Sequence, residues 1–133
     1  MKTEYRRTAT TVSFLNYHIV FCPARRRRIF DIPGVEQRFK ELVTEVCAKE
    51  DIRILAMECH HDHTHLFLNA LPQQSIPDIM NLLKGATSYT LRTEFPELRH
   101  MDRLWTRSYF VSTAGNVSAE TIRRYVETQK TRS

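Results

Sequence analysis

Ile52-Arg53-Ile54-Leu55-Ala56-Met57-Glu58-Cys59, then His60-His61-Asp62, then His63-Thr64-His65-Leu66-Phe67-Leu68-Asn69-Ala70: this stretch decides the fold. Two runs of strand length joined by three polar residues read as a β-hairpin. Alternation is clearest in the second run, because successive strand side chains point to opposite faces. Thr64, Leu66, Leu68 and Ala70 share the side suited to a core, while His63, His65, Phe67 and Asn69 share the other.

Outward from the hairpin, the pattern changes on both sides. Upstream, Val35, Phe39, Leu42, Val43, Val46 and Cys47 recur at helical spacing with charged residues between them, so an amphipathic helix starts near Pro33. Before it, Thr11 to Cys22 alternates, with Leu15, Tyr17, Ile19 and Phe21 on one face and Phe14, Asn16, His18 and Val20 on the other. Downstream, Ser75 caps a second helix, with Asp78 three residues on; it runs through Ile79, Met80, Leu83 and Thr87 and stops before Pro96. Leu104 to Thr113, rich in aromatic and β-branched residues, reads as a fourth strand. Gly115-Asn116 then makes a turn, and Ser118 caps a last helix with Ile122 and Val126 on its apolar side.

The order is β-α-β-β-α-β followed by a helix. It predicts an α+β fold of the ferredoxin-like plan: an antiparallel sheet, both helices on one face, the other face open. With 133 residues, three Gly and five Pro, a single domain over 1–133 is expected.

The charge balance, 20 Lys+Arg against 15 Asp+Glu, favours a polyanionic partner. Arg25-Arg26-Arg27-Arg28 forms a basic loop between structured elements, and guanidinium groups match phosphate oxygens in pairs. Lys84, Arg107, Arg123 and Arg124 are further candidate phosphate contacts. The cysteines, Cys22, Cys47 and Cys59, are odd in number without paired spacing and read as reduced. Met1 to Thr10 lacks the apolar stretch of a signal peptide, and no run reaches the ~18 apolar residues of a membrane span. A cytoplasmic protein without a membrane partner is expected.

His63 and His65 point the same way, roughly 6.5 to 7 Å apart along the strand, and both can lean toward one cation. Asp62 is placed to orient an imidazole. His18, on the polar face of the first strand, is a candidate for supporting the pair or touching nucleic acid. Four residues separate Tyr125 from Gln129, so both project from one side of the last helix. Two imidazoles and an amide oxygen admit Mg²⁺ or Mn²⁺, with Zn²⁺ or Ni²⁺ as in-vitro substitutes, and ligand type alone does not choose.

Taken together, these motifs resemble the single-tyrosine HUH transposases, which mobilise insertion sequences as single strands. His63-Thr64-His65 is similar to the HUH motif, and Tyr125 with Gln129 to the tyrosine helix. Tyr17 to Cys22, Leu83-Lys84-Gly85, Leu104 to Val111 and Val117-Ser118 extend the likeness over nearly the whole chain. Thr64 departs from the usual apolar middle residue, which affects only the core side of the strand.

The resemblance implies that Tyr125 attacks single-stranded DNA to give a 5′-phosphotyrosine, with His63, His65 and Gln129 holding a divalent metal. It implies a homodimer, recognition of hairpin ends, and no small-molecule substrate. A binding module that stacks bases on Phe67, Tyr109 or Trp105 without cleaving them is the alternative; it leaves the histidine pair and Gln129 unexplained. A nicking initiator of the same chemistry and a water-using metallohydrolase are further rivals.

Overall fold

In the computed structural model, residues 5–114 are described. The expected turn at Gly115-Asn116 and the last helix, with Arg123, Arg124, Tyr125 and Gln129, lie outside the described residues.

The elements are β1 (Arg6–Arg7), β2 (Val12–Ser13), β3 (Leu15–Phe21), α1 (Val35–Lys49), β4 (Arg53–His60), β5 (His63–Ala70), α2 (Ile76–Glu94) and β6 (Phe110–Thr113). Four of the strands form one sheet in the order β4-β5-β3-β6, and every neighbouring pair is antiparallel. Helix α1 connects β3 to β4, and α2 connects β5 to β6.

Both helices bury their apolar stripes against one side of the sheet. Val35, Phe39, Leu42, Val43 and Cys47 of α1 and Ile79, Met80, Leu83 and Leu91 of α2 pack with Ile19, Phe21, Leu66, Leu68 and Ala70. Helix α1 starts at Gly34, whose φ of 90° is open to glycine at little cost. Helix α2 starts as its sequence requires: the Ser75 hydroxyl accepts from the Asp78 amide at 3.2 Å. Burial pushes the thiols of Cys47 and Cys59 up to about 11 and about 12, so both stay protonated and inert.

The hairpin differs from the sequence expectation at both ends of β4. His60 belongs to the strand and pairs directly with His63, so the turn is only His61-Asp62. Farther down, Ile54 pairs with Leu68 but Ala56 with Phe67, leaving Leu55 as an extra residue in a bulge. Ile54 therefore faces the helices, while Ala56, Glu58 and His60 line the opposite face with Phe67, His65 and His63.

Two expectations are corrected. The fourth strand is Phe110–Thr113, not Leu104 to Thr113. Leu104 and Trp105 are buried in the core but do not join the ladder with β3, whose pairing begins at Phe110. Trp105 instead makes an isolated bridge to Pro23, and its indole N–H donates to Thr87 Oγ1 at 2.9 Å. The face away from the helices is also not open throughout. The β1–β2 hairpin lays Arg6 over it: Nη1 donates to Asn69 Oδ1 at 2.8 Å, and Nη2 pairs with Asp51. Asn69 Nδ2 in turn donates to Asn16 Oδ1 at 2.8 Å.

Candidate metal centre and nucleic-acid face

Beyond the Asn69 clamp, the same sheet face carries a row of rings. His18 of β3 sits opposite Phe67 of β5 and stacks on it, with centroids 4.3 Å apart and planes at 5°. One step along, His18 Nε2 lies 2.9 Å from His65 Nδ1. His63 Nδ1 lies 3.0 Å from Asp62 Oδ1. Asp62 acts as a carboxylate here, its pKa lowered by the hydrogen bond to His63 and by Arg26.

These contacts orient both imidazoles. A carboxylate only accepts, so His63 donates through Nδ1, which leaves Nε2 as the nitrogen that can face a ligand. If His65 Nδ1–H donates to His18, its Nε2 likewise presents a lone pair. Burial pushes the pKa of His65 down to about 4, aided by the charges His18, His63 and His60 would carry. His65 is therefore neutral at physiological pH, as a metal ligand must be. Burial lowers His18 too.

His60 joins the group. One ring nitrogen each from His60, His63 and His65 lies within 4.8 Å of the others. Nothing in the sequence periodicity placed His60 there, because it read as part of the turn. The one available signal was chain geometry: a two-residue turn pairs His60 with His63 and sends both side chains to one face. The donor set, three imidazoles of which His63 and His65 are oriented by outer hydrogen bonds, suits a divalent cation. His60, His63 and His65 form a cluster able to bind one.

The basic residues divide into two groups. Arg25, Arg26, Arg27 and Arg28 are all exposed, and Arg25 and Arg26 hold left-handed φ values of 60° and 54°. Arg26 reaches Asp62, with Nε 3.2 Å from Oδ2, and so touches the carboxylate behind His63. Arg25 and Arg27 line a cleft of about 330 Å³ with Arg107 and with Arg103, which the sequence reading had not singled out. Lys84 is engaged differently: its ammonium donates to the carbonyls of Thr106, Arg107 and Ser108, bracing the chain before β6. Trp105 and Phe67 are buried, which removes two of the three stacking platforms a pure binding module was expected to use. The exposed ring beside the site is Phe110, edge-on to His18 at 6.0 Å.

The model of the family described as "Transposase IS200 like" matches residues 11–129. The chain belongs to the IS200-like transposase family.

Known relatives agree with this assignment. The chain is 31% identical over 118 residues to the ISDra2 transposase TnpA of Deinococcus radiodurans, covering 86% of this chain and 84% of that protein. It is 36% identical over 117 residues to the transposase for insertion sequence element IS200 of Salmonella typhimurium, covering 85% and 75% of the two. Among solved structures, a putative transposase from Deinococcus radiodurans matches at a TM-score of 0.75 and 29% identity, covering 93% of this chain and 97% of that one. A REP-associated tyrosine transposase bound to a REP hairpin matches at a TM-score of 0.63, covering 95% of this chain and 69% of that one; at 13% identity the likeness is one of fold. This IS200-like transposase thus acts in DNA transposition, and its described residues hold no helix long and apolar enough to cross a membrane.

Proposed function

We propose that this transposase is a single domain of the ferredoxin-like plan, completed by a C-terminal helix, that cleaves and rejoins single-stranded DNA with Tyr125. The supporting observation is the convergence of His63 and His65 on one sheet face, each oriented through Nδ1, within a family match that spans Tyr125 and Gln129. His63, His65 and Gln129 would hold a divalent cation, Mg²⁺ or Mn²⁺ in the cell. When bound, the cation polarises the scissile phosphate and offsets charge building up on its oxygens.

The Tyr125 oxygen attacks phosphorus; the new O–P bond forms as the P–O3′ bond breaks, leaving a 5′-phosphotyrosine and a 3′-hydroxyl. The 3′-hydroxyl of a second strand reverses the exchange, so the phosphodiester's energy is conserved and no ATP is needed. A phenol of pKa near 10 is mostly protonated at neutral pH, so the site must favour its attacking form. Asp62 and His18 hold the imidazoles in orientation. Arg25, Arg26, Arg27 and Arg28, with Arg107, Arg123 and Arg124, supply phosphate contacts; Lys84 supports that surface from within. The working unit is a cytoplasmic homodimer acting on hairpin ends of the element.

The experiment is incubation with single-stranded DNA carrying an element end, plus Mg²⁺ or Mn²⁺. A covalent protein–DNA adduct retarded on a denaturing gel is expected, absent in Tyr125→Phe. Normal cleavage by Tyr125→Phe would overturn the tyrosine mechanism in favour of attack by water.

A further inference from the structure

We propose that His60 is a third imidazole ligand beside His63 and His65, giving this chain an all-nitrogen site for a borderline transition-metal dication of the Zn²⁺, Co²⁺ or Ni²⁺ class. The inference rests on the metal role proposed for His63 and His65 and adds a ligand that role does not require. It assigns a ligand set that does not include Gln129.

Three observations carry it. His60 and His63 are directly paired across a two-residue turn, so their side chains leave the sheet on one face. Their rings stack face to face with centroids 4.5 Å apart and planes at 10°, which keeps the two imidazoles together on that face. The His65 ring stands nearly perpendicular to both, at 71° to His63 and 75° to His60, with centroids 5.2 and 5.6 Å away. One nitrogen from each of the three already lies within 4.8 Å of the others.

Bound to an ion at about 2.0–2.1 Å, three imidazole nitrogens sit roughly 3 Å apart. Closing the cluster therefore needs side-chain movements of about an ångström, which χ rotations supply without disturbing the hydrogen-bonded turn. Donor chemistry then sets the preference. Imidazole suits Zn²⁺, Co²⁺ and Ni²⁺, whereas Mg²⁺ prefers oxygen ligands and keeps its waters. A ligand set with Gln129 contributes an amide oxygen; one with His60 contributes nitrogen. Both sets share His63 and His65, so they compete for one cation.

The test uses the full chain stripped of metal with EDTA. Co²⁺ is titrated and its visible absorption bands recorded; Zn²⁺ affinity is measured by competition with a chromophoric chelator. Zinc-edge X-ray absorption counts imidazole ligands. His60→Ala removes the ring, and His60→Phe keeps the stack on His63 without a nitrogen; circular dichroism melts check folding.

In either variant Zn²⁺ affinity should fall at least about tenfold, the lower end of what outer-shell changes alone produce. The imidazole count should drop from three to two, whereas in Gln129→Ala it should stay at three. Wild-type affinity and ligand count in His60→Phe, with both lost in His63→Ala, would overturn the role of His60 while sparing the two-histidine metal reading. Unchanged binding in His63→Ala as well would sink that reading too.

Discussion

At one end of the sheet face, Asn16, Asn69, Arg6 and Asp51 form a closed polar cluster; at the other, His18, His60, His63 and His65 crowd together. Both ends place polar groups against a half-buried surface, where an unmet hydrogen bond is costly. In the first cluster donors and acceptors are matched: amide donates to amide, guanidinium to carbonyl and carboxylate. The second is made almost wholly of one side chain. Neutral imidazoles leave lone pairs converging, and His65 resists charging chiefly because it is buried, with repulsion from its histidine neighbours added. The first end holds the fold together. The second is suited to a positive ion from outside, as a functional site is.

The sharpest way to break this comparison is to empty the second end. His63→Ala is expected to lower cleavage about a thousandfold, since a metal's stabilisation of transition-state charge is worth several kcal/mol. Single-stranded DNA binding, read by fluorescence anisotropy, should change far less; equal loss of both would mean the residue is structural. The converse change is Arg6→Ala. It leaves Asn69 short of its partner and should cost about 2–3 kcal/mol in urea unfolding, with cleavage by the folded fraction unchanged. A loss of cleavage exceeding the loss of folded protein would show that the two ends are coupled.

Acid sharpens the contrast further. The His65 pKa is near 4 in the folded chain against an ordinary 6.5, so the native state binds fewer protons than the unfolded one. Its contribution is fully present above pH 6.5 and is lost as pH falls toward 4, a change on the order of 2–3 kcal/mol. Metal-free wild-type protein should therefore lose melting temperature across that window more steeply than His65→Gln; parallel curves would remove His65 as the cause. The smallest effect belongs to Arg26→Ala. Its exposed pair with Asp62 is worth about 0–1 kcal/mol, so stability should barely move. If Arg26 also meets a phosphate, the log–log salt slope of single-stranded DNA binding should fall by about 0.7.

Period-two alternation made the inner hairpin strand and β3 legible from the sequence, because each has one apolar face. It correctly put His18 and His65 on the same side of the sheet. It did not reveal Arg6, whose burial depends on a two-residue strand folding back across a distant asparagine. It over-extended the fourth strand, because Trp105, Tyr109 and Phe110 have strand-like propensity whether or not they pair. Propensity reports a suitable surface; the core took Trp105 instead. His60 was missed for a related reason, since strand ends are where local pattern is weakest.

Leu55, the additional residue in β4, has a consequence for how this chain tolerates deletion. Ile52 and Ile54 on one side of it, and Met57 and Cys59 on the other, all reach the helices only because the strand skips a beat there. Excising Leu55 would leave a regular ladder with every imidazole still in place. Excising Met57 instead also absorbs the extra residue, but it turns Leu55 onto the histidine face opposite Phe67 and leaves only Ala56 in the core opposite Leu66. Of two one-residue deletions so close together, both are expected to yield chains that still take up Co²⁺, but the second should be less stable by about 2 kcal/mol or more, because Ala56 replaces Met57 in the core.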